Sequence, residues 1–186
     1  GGLFERYGVH PDIAVFGKAL GNGFPITAVV GREEVMSAAQ QSFISSTFWS
    51  ERIGPVAALA TLEQMRNLRS WEVVSAIGGR VKAFWSALAA ENQIEIDVLG
   101  LDALASFRFR SPWHDTLRTF IAQEMLRKGF LAGTAFFSST AHSDRVLQSY
   151  FQAFEEVFSR LSNVVKRGDI PALKGEVAHS GFRRLN

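Results

Sequence analysis

The chain has 186 residues, 47% of them hydrophobic and 12% aromatic, enough apolar side chain to bury a core and too much for a disordered chain. Its formal net charge is only +2 and its 20 lysines and arginines form no dense block, which argues against nucleic acid as a partner. The absence of cysteine excludes a disulfide framework and a thiolate metal site and suits a reducing cytoplasm, and no apolar run reaches the roughly 18 residues of a membrane span.

The chain opens Gly1-Gly2-Leu3 with neither a methionine nor a signal peptide, so its first residue reads as a cut and the chain is expected to be the C-terminal part of something longer. Phe4 and Tyr7 lie in a short helix-like stretch. Ile13–Phe16 and Ile26–Val30 are short apolar runs bounded by Pro11-Asp12 and Gly31, the pattern of buried strands. Lys18 stands where the first run ends, and Gly17 beside it is expected to leave room for a large flat ligand. Gly21-Asn22-Gly23 tolerates positive φ and turns the chain just past the lysine, while Pro25 limits its exit. An amine attacks a carbonyl only when unprotonated, and partial burial at a sheet edge would favour that form. From local pattern alone the plainer reading, a surface lysine at a strand–turn–strand corner, is favoured.

Arg32–Ala39 reads as a short helix with acids in its first turn. The polar and aromatic stretch Ser45–Arg52 leads through Ile53-Gly54-Pro55 into a helix from about Val56 to Arg69, with Pro55 suited to the first turn. Thr47 and Ser46 precede that helix, where hydroxyls and backbone N–H groups can hold an anion, although such residues are more often plain N-caps. From Ser70, the spacing of Trp71, Val74, Ile77, Val81, Phe84, Trp85 and Leu88 gives an amphipathic helix, in which Gly78-Gly79 permits close packing or a bend. Ile94–Leu99 and Ala103–Arg110 read as strands, the second alternating through Phe107-Arg108-Phe109-Arg110; Leu117–Lys128 as a helix capped by Gly129; Phe130–Ser139 as a strand. Ser143 caps a last helix with Leu147, Tyr150, Phe154, Val157, Phe158 and Leu161 on one face. The order of types gives an α/β sandwich, followed by an irregular stretch from Val164 that forms a tail or an arm on a partner subunit.

The run Pro-Asp-Ile-Ala-Val-Phe-Gly-Lys-Ala-Leu-Gly-Asn-Gly-Phe-Pro-Ile-Thr-Ala-Val-Val-Gly-Arg-Glu-Glu-Val-Met, residues 11–36, resembles the lysine segment of the class III (omega-type) aminotransferases. Within that class it most resembles the branch similar to glutamate-1-semialdehyde 2,1-aminomutase. Ala141-His142-Ser143-Asp144 is similar to the Ala-His-Thr-Asp type of run before that branch's last helix, so the resemblance covers about residues 1–162. It reverses the reading of Lys18. It implies the α/β fold type I of the PLP-dependent transferases, with residues 1–75 as the C-terminal part of the pyridoxal 5′-phosphate (PLP) binding large domain, 76–163 as a small α/β domain and 164–186 as the tail.

The resemblance further implies that Lys18 binds PLP as an internal aldimine and that Thr47, with Ser46 as a fallback, hydrogen-bonds the cofactor phosphate from the neighbouring subunit. The active site would then lie at the interface of a homodimer. The chain departs from the family at Phe48–Pro55, where many members have a shorter small-residue and Asn-Pro stretch, and Phe48 and Trp49 are expected to shape the substrate pocket. The implied activity is transfer of an amino group between an amino compound and a keto or aldehyde acceptor. The alternatives are an aminomutase and a noncatalytic remnant with an assembly role. The family's phosphate-binding turn, ring stacker and pyridine-pairing aspartate precede the segment present, so the fragment alone is expected to turn over little.

Other constellations fail. A phosphate loop needs Gly-x-x-x-x-Gly-Lys-Ser/Thr, but Ala19 follows this lysine. His10, His114, His142 and His179 are far apart with no metal-ligand spacing, and no Gly-x-Ser-x-Gly elbow exists. Arg108 and Arg110 share a strand face and could clamp a substrate carboxylate, or serve only as solvated edge charges.

Overall fold

The structure, a computed structural model, describes residues 2–179. The chain divides between Arg69 and Ser70 into two compact units.

The first unit is built on an antiparallel ribbon. After the short helix α1 (Leu3–Arg6), β1 (Ile13–Phe16) pairs with β2 (Ala28–Gly31) from Ile13 opposite Gly31 to Phe16 opposite Ala28. The connection is tight because Gly21 has no Cβ: one built there would lie 2.1 Å from the Phe24 carbonyl oxygen. Asn22 and Gly23 take positive φ, as the sequence predicts, whereas Gly21 does not need it. Beyond the ribbon, Arg32 ties back to Asp12 through its guanidinium at 3.0 Å and its backbone N–H at 3.0 Å. The expectation of buried strands fails here. Val15 is 68% exposed, and Val29 and Val30 are 50% exposed. Burial needs a layer packed on the strand, and a two-stranded ribbon with short α2 (Glu33–Met36) beside it supplies little of one. The long helix α3 (Ile53–Leu68) meets the ribbon turn at its first residues, where the Cβ that Gly54 lacks would lie 3.2 Å from Ile26. Arg69, in the left-handed region at φ 46°, ends α3.

The second unit is a two-layer α/β sandwich. Helix α4 (Ser70–Asn92) is followed by a hairpin of β3 (Ile96–Leu101) and β4 (Leu104–Phe109), helix α5 (His114–Arg127), β5 (Ala135–Phe137) and helix α6 (Asp144–Lys166). The three strands form one antiparallel sheet in the order β3-β4-β5. The alternation along β4 decides its faces: Ala105, Phe107 and Phe109 are buried, while Arg108 is exposed. Phe107 meets Trp85 of α4 at 4.9 Å between ring centroids, and both rings contact Phe154 of α6. Inside this apolar cluster the Trp85 indole N–H donates to the Tyr150 hydroxyl at 3.0 Å, so neither polar group is orphaned.

Two helix ends follow their sequence signals. Ser143 Oγ accepts the Val146 N–H at 3.5 Å at the start of α6. Gly129, at φ +85°, ends α5, and Phe130 N–H bonds back to the Met125 carbonyl. That capping explains why the strand expected over 130–139 is only Ala135–Phe137: Phe130 belongs to the end of the helix.

Past α6 the chain turns at Gly168 (φ +77°) and lies along α5 of its own unit. Leu173 packs on the core, Lys174 N–H donates to Gln123 Oε1 at 2.7 Å, and Arg118 donates to the carbonyls of Ala178 and His179. Residues 180–186 of the tail expected over 164–186 lie outside the described residues.

Candidate functional site

Lys18 follows the last residues of β1 through an extended Gly17 and starts a single 3-10 turn, Lys18–Leu20, with φ +50°. A lysine in the left-handed region is strained by roughly 1–2 kcal/mol. Three backbone bonds hold it there: Leu20 N–H to the Gly17 carbonyl at 3.1 Å, and Gly21 and Asn22 N–H to the Lys18 carbonyl at 3.2 Å each. Lys18 is one of the residues that line a concavity of about 1080 Å³.

Within this chain Lys18 is exposed, so the partial burial expected of it is not supplied by the described residues of its unit. The space beside Gly17 is likewise not open for a ligand. A Cβ there would lie 3.2 Å from the Thr27 methyl, so the glycine lets the facing strand close in.

One wall of the concavity is the turn Phe24–Thr27 with Val29, and the other is Ser45, Ser46, Phe48, Trp49 and the start of α3. Ser46 lines it, and its hydroxyl accepts the Phe48 N–H at 3.4 Å. Thr47 sits in the adjoining turn and is not among the lining residues. Phe48 and Trp49 line the wall facing Lys18, half and three-quarters exposed.

Glu51 was not singled out by sequence reasoning, yet it sets the electrostatics of this wall. Its Oε1 accepts the Arg52 N–H at 2.9 Å and the Ile53 N–H at 3.1 Å, capping α3 with a carboxylate. Pro55 has no N–H, and Val56 N–H bonds the Arg52 carbonyl, which leaves the buried Gly54, among the described residues, as the remaining donor of that first turn. The available signal was an acid placed two residues before the helix start.

Chemically, the site offers one amine, the hydroxyls of Thr27, Ser45 and Ser46, the Glu51 carboxylate already bound to the start of α3, and apolar and aromatic walls, in a volume ample for a flat aromatic aldehyde with a phosphate arm. The residues present therefore fit PLP: the amine for its carbonyl, hydroxyls for its phosphate, and apolar side chains for its ring. Arg110, a candidate carboxylate clamp by sequence, lies in the second unit and is committed to Asp97, its Nε at 2.7 Å from the carboxylate. That bond, with the neighbouring charge, holds the Asp97 carboxyl below its usual range. Among the described residues no group of three or more His, Cys, Asp or Glu could hold a metal ion, and no helix is long and apolar enough to cross a membrane.

The sequence profile described as aminotransferase class-III matches residues 2–158. The chain is 34% identical over 131 residues to the 3-aminobutyryl-CoA aminotransferase of Cloacimonas acidaminovorans, covering 68% of this chain and 32% of that protein. It is 31% identical over 180 residues to the glutamate-1-semialdehyde 2,1-aminomutase of Methanocaldococcus jannaschii, covering 87% of this chain and 42% of that one. Among solved structures it is similar to the FumI protein of Sphingopyxis sp. MTA144 in its PLP internal aldimine form, with a TM-score of 0.79 at 24% identity over 88% of this chain and 40% of that one. An omega-transaminase of Sphaerobacter thermophilus gives 0.78 at 20% identity over 88% and 41%. These likenesses show the fold, the fold type I of PLP-dependent transaminases. The chain spans between about a quarter and two-fifths of the length of the curated relatives it matches.

Proposed function

The chain belongs to the class III aminotransferases, and from that premise we propose that it carries the reactive lysine of a PLP-dependent transaminase, which moves an amino group between an amino compound and a keto or aldehyde acceptor. The observation that carries this reading is Lys18, held in a strained left-handed turn on the lining of the 1080 Å³ concavity. The Gly21 turn imposes that conformation, so the backbone at Lys18 is fixed rather than free.

In this reading Lys18 Nζ holds the cofactor covalently at its aldehyde. Once freed, Nζ would take the proton from the donor's amino-bearing carbon and pass it to the cofactor's former aldehyde carbon, and with the acceptor bound it would carry a proton the opposite way. Bound PLP supplies the electron sink for the carbanion that this proton transfer creates. Ser46 and Thr47 donate hydroxyls to the phosphate, with Thr47, outside the lining of its own concavity, serving the site of a second copy in a homodimer. The exposed apolar side chains of the first unit, Val15, Val29 and Val30 among them, suit such an assembly. Residues 1–75 then form the C-terminal part of the cofactor-binding domain, and the cysteine-free chain suits the cytoplasm.

The alternative of an aminomutase is favoured by one observation, the match over 87% of this chain to the Methanocaldococcus protein. Against it, residues 134–137 hold no acidic side chain where the aminomutase branch is expected to carry one.

The test is borohydride reduction of the full protein with PLP, followed by peptide mapping, beside the same protein with Lys18→Ala. A single reduced adduct on Lys18, with loss of the cofactor's visible absorbance band and of amino transfer in the variant, is expected. Labelling at another lysine, or a variant that keeps the band, overturns the assignment. An isomerised product with no net transfer to an added keto acid would favour the mutase.

A further inference from the structure

The family match ends at residue 158, and the chain beyond it builds a cavity wall that the match does not account for. As the chain leaves α6 and turns at Gly168, the segment Gly168–Pro171 becomes one wall of a second cavity, of about 310 Å³, in the unit that does not contain Lys18. The approach to β3, the stretch Arg110–Trp113 and Leu117 of α5 complete it. This volume is at the small end of the range of ligand pockets.

Its apolar side is open rather than sealed. Trp113, Val165 and Ile170 all line it and all remain substantially exposed, while Phe109 and Pro171 are buried behind them. Its charge is unbalanced. Glu95 and Asp169 line it without an ion-pair partner among the described residues, and the one lining cation, Arg110, is bound to Asp97 at 2.7 Å and feels Glu95 at longer range. Of the lining groups, Glu95 and Asp169 thus face a single guanidinium that is already committed to Asp97, leaving an excess of negative charge beside an exposed indole. Carboxylates and an aromatic face together select a cation with an apolar body and reject an anion of the same shape.

We propose that this cavity binds a small organic cation, an aryl- or alkylammonium compound, between Trp113 and the Gly168–Pro171 turn.

The experiment is calorimetric titration of the full protein with benzyltrimethylammonium, whose quaternary nitrogen has no N–H and so cannot serve as an amino donor. Benzenesulfonate, of similar shape and opposite charge, is the control. Binding at one site per chain is expected for the cation and none for the sulfonate. The double variant Glu95→Gln, Asp169→Asn should weaken binding about tenfold, two partly exposed charge pairs' worth. Both residues are exposed, so an unchanged near-ultraviolet spectrum separates lost binding from lost fold. Trp113→Leu should weaken it further. No binding by the full protein, equal binding of the sulfonate, or binding that the double variant leaves intact would each overturn the proposal.

Discussion

Gly78 and Gly79 are neighbours in α4, and alanine at the two positions should have opposite effects. A Cβ built on Gly78 lies 1.5 Å from the carbonyl oxygen of Asp102, 2.4 Å from its carbon and 2.9 Å from Ser138 Oγ. One built on Gly79 meets nothing within 4 Å. The helix therefore rests its backbone on the turn between β3 and β4, and a methyl group would force the two apart by about 1.5–2 Å in a close-packed interior. Separation strains the bonds that tie this turn down: Ser138 N–H to the Ala103 carbonyl at 3.0 Å, and Lys82 Nζ to the Gly100 carbonyl at 2.6 Å and to Asp102 at 3.0 Å. Overpacking costs about 1–3 kcal/mol and the partial weakening of these bonds about 1–2 kcal/mol in total, against roughly 1 kcal/mol gained in helix propensity. Gly78→Ala should thus lose about 2–3 kcal/mol, and Gly79→Ala should gain about 0.5–1 kcal/mol. At about 4 °C per kcal/mol for a unit of this size, the melting temperatures should differ by about 12 °C. Thermal unfolding followed by near-ultraviolet circular dichroism, to which buried Trp85 contributes, reads the difference. A Gly78→Ala protein as stable as the Gly79→Ala protein would refute the close approach.

The second unit supports two further expectations. Tyr150→Phe leaves the Trp85 N–H without its acceptor inside the aromatic cluster and should cost about 1–3 kcal/mol in urea unfolding, far more than an exposed hydroxyl would. Burial lowers the His114 pKa, with the Arg108 and Arg118 charges in the same direction and Asp115 opposing, and its Nδ1 accepts the Phe109 N–H at 3.2 Å. The folded state therefore binds the proton less readily than the unfolded chain. Stability should fall as pH drops through about 6.5, the unfolded value, and the loss should level off only below the lowered folded value. Urea unfolding at pH 8 and pH 5 measures this, and His114→Asn should flatten the difference; an unchanged slope in that variant would place the titration elsewhere.

The sandwich was legible because the helix-facing side of its sheet is covered within its own unit. The period-two run of β4 puts Phe107 and Phe109 against the stripe on α6, and both halves of that contact are in the sequence. The ribbon was legible as strands but not as to burial, because Ile13–Phe16 has the composition of a buried strand while burial is set by what packs on it. Phe130–Ser139 misled for a local reason. Gly129 caps α5 through Phe130, a use of the first aromatic that composition cannot distinguish from the start of a strand.

The site divides along similar lines. The glycines around Lys18 announced a tight turn, and Gly21 bears this out, since a side chain there would collide with the Phe24 carbonyl at 2.1 Å. What no residue type announces is that the lysine itself takes the left-handed conformation, because lysine has no preference for it. The strain is imposed by the turn that Gly21 permits and that the Lys18 carbonyl closes by accepting two N–H groups. Glu51 stayed hidden for the converse reason. An acid before a helix is ordinary, and its consequence emerges only when the donors of the first turn are traced one by one: two held by its carboxylate, one missing at Pro55 and one turned back to Arg52. An anion approaching α3 would therefore find the remaining N–H of the turn on a buried Gly54 and a carboxylate beside it, so any phosphate held near Lys18 must draw on hydroxyls more than on the helix end.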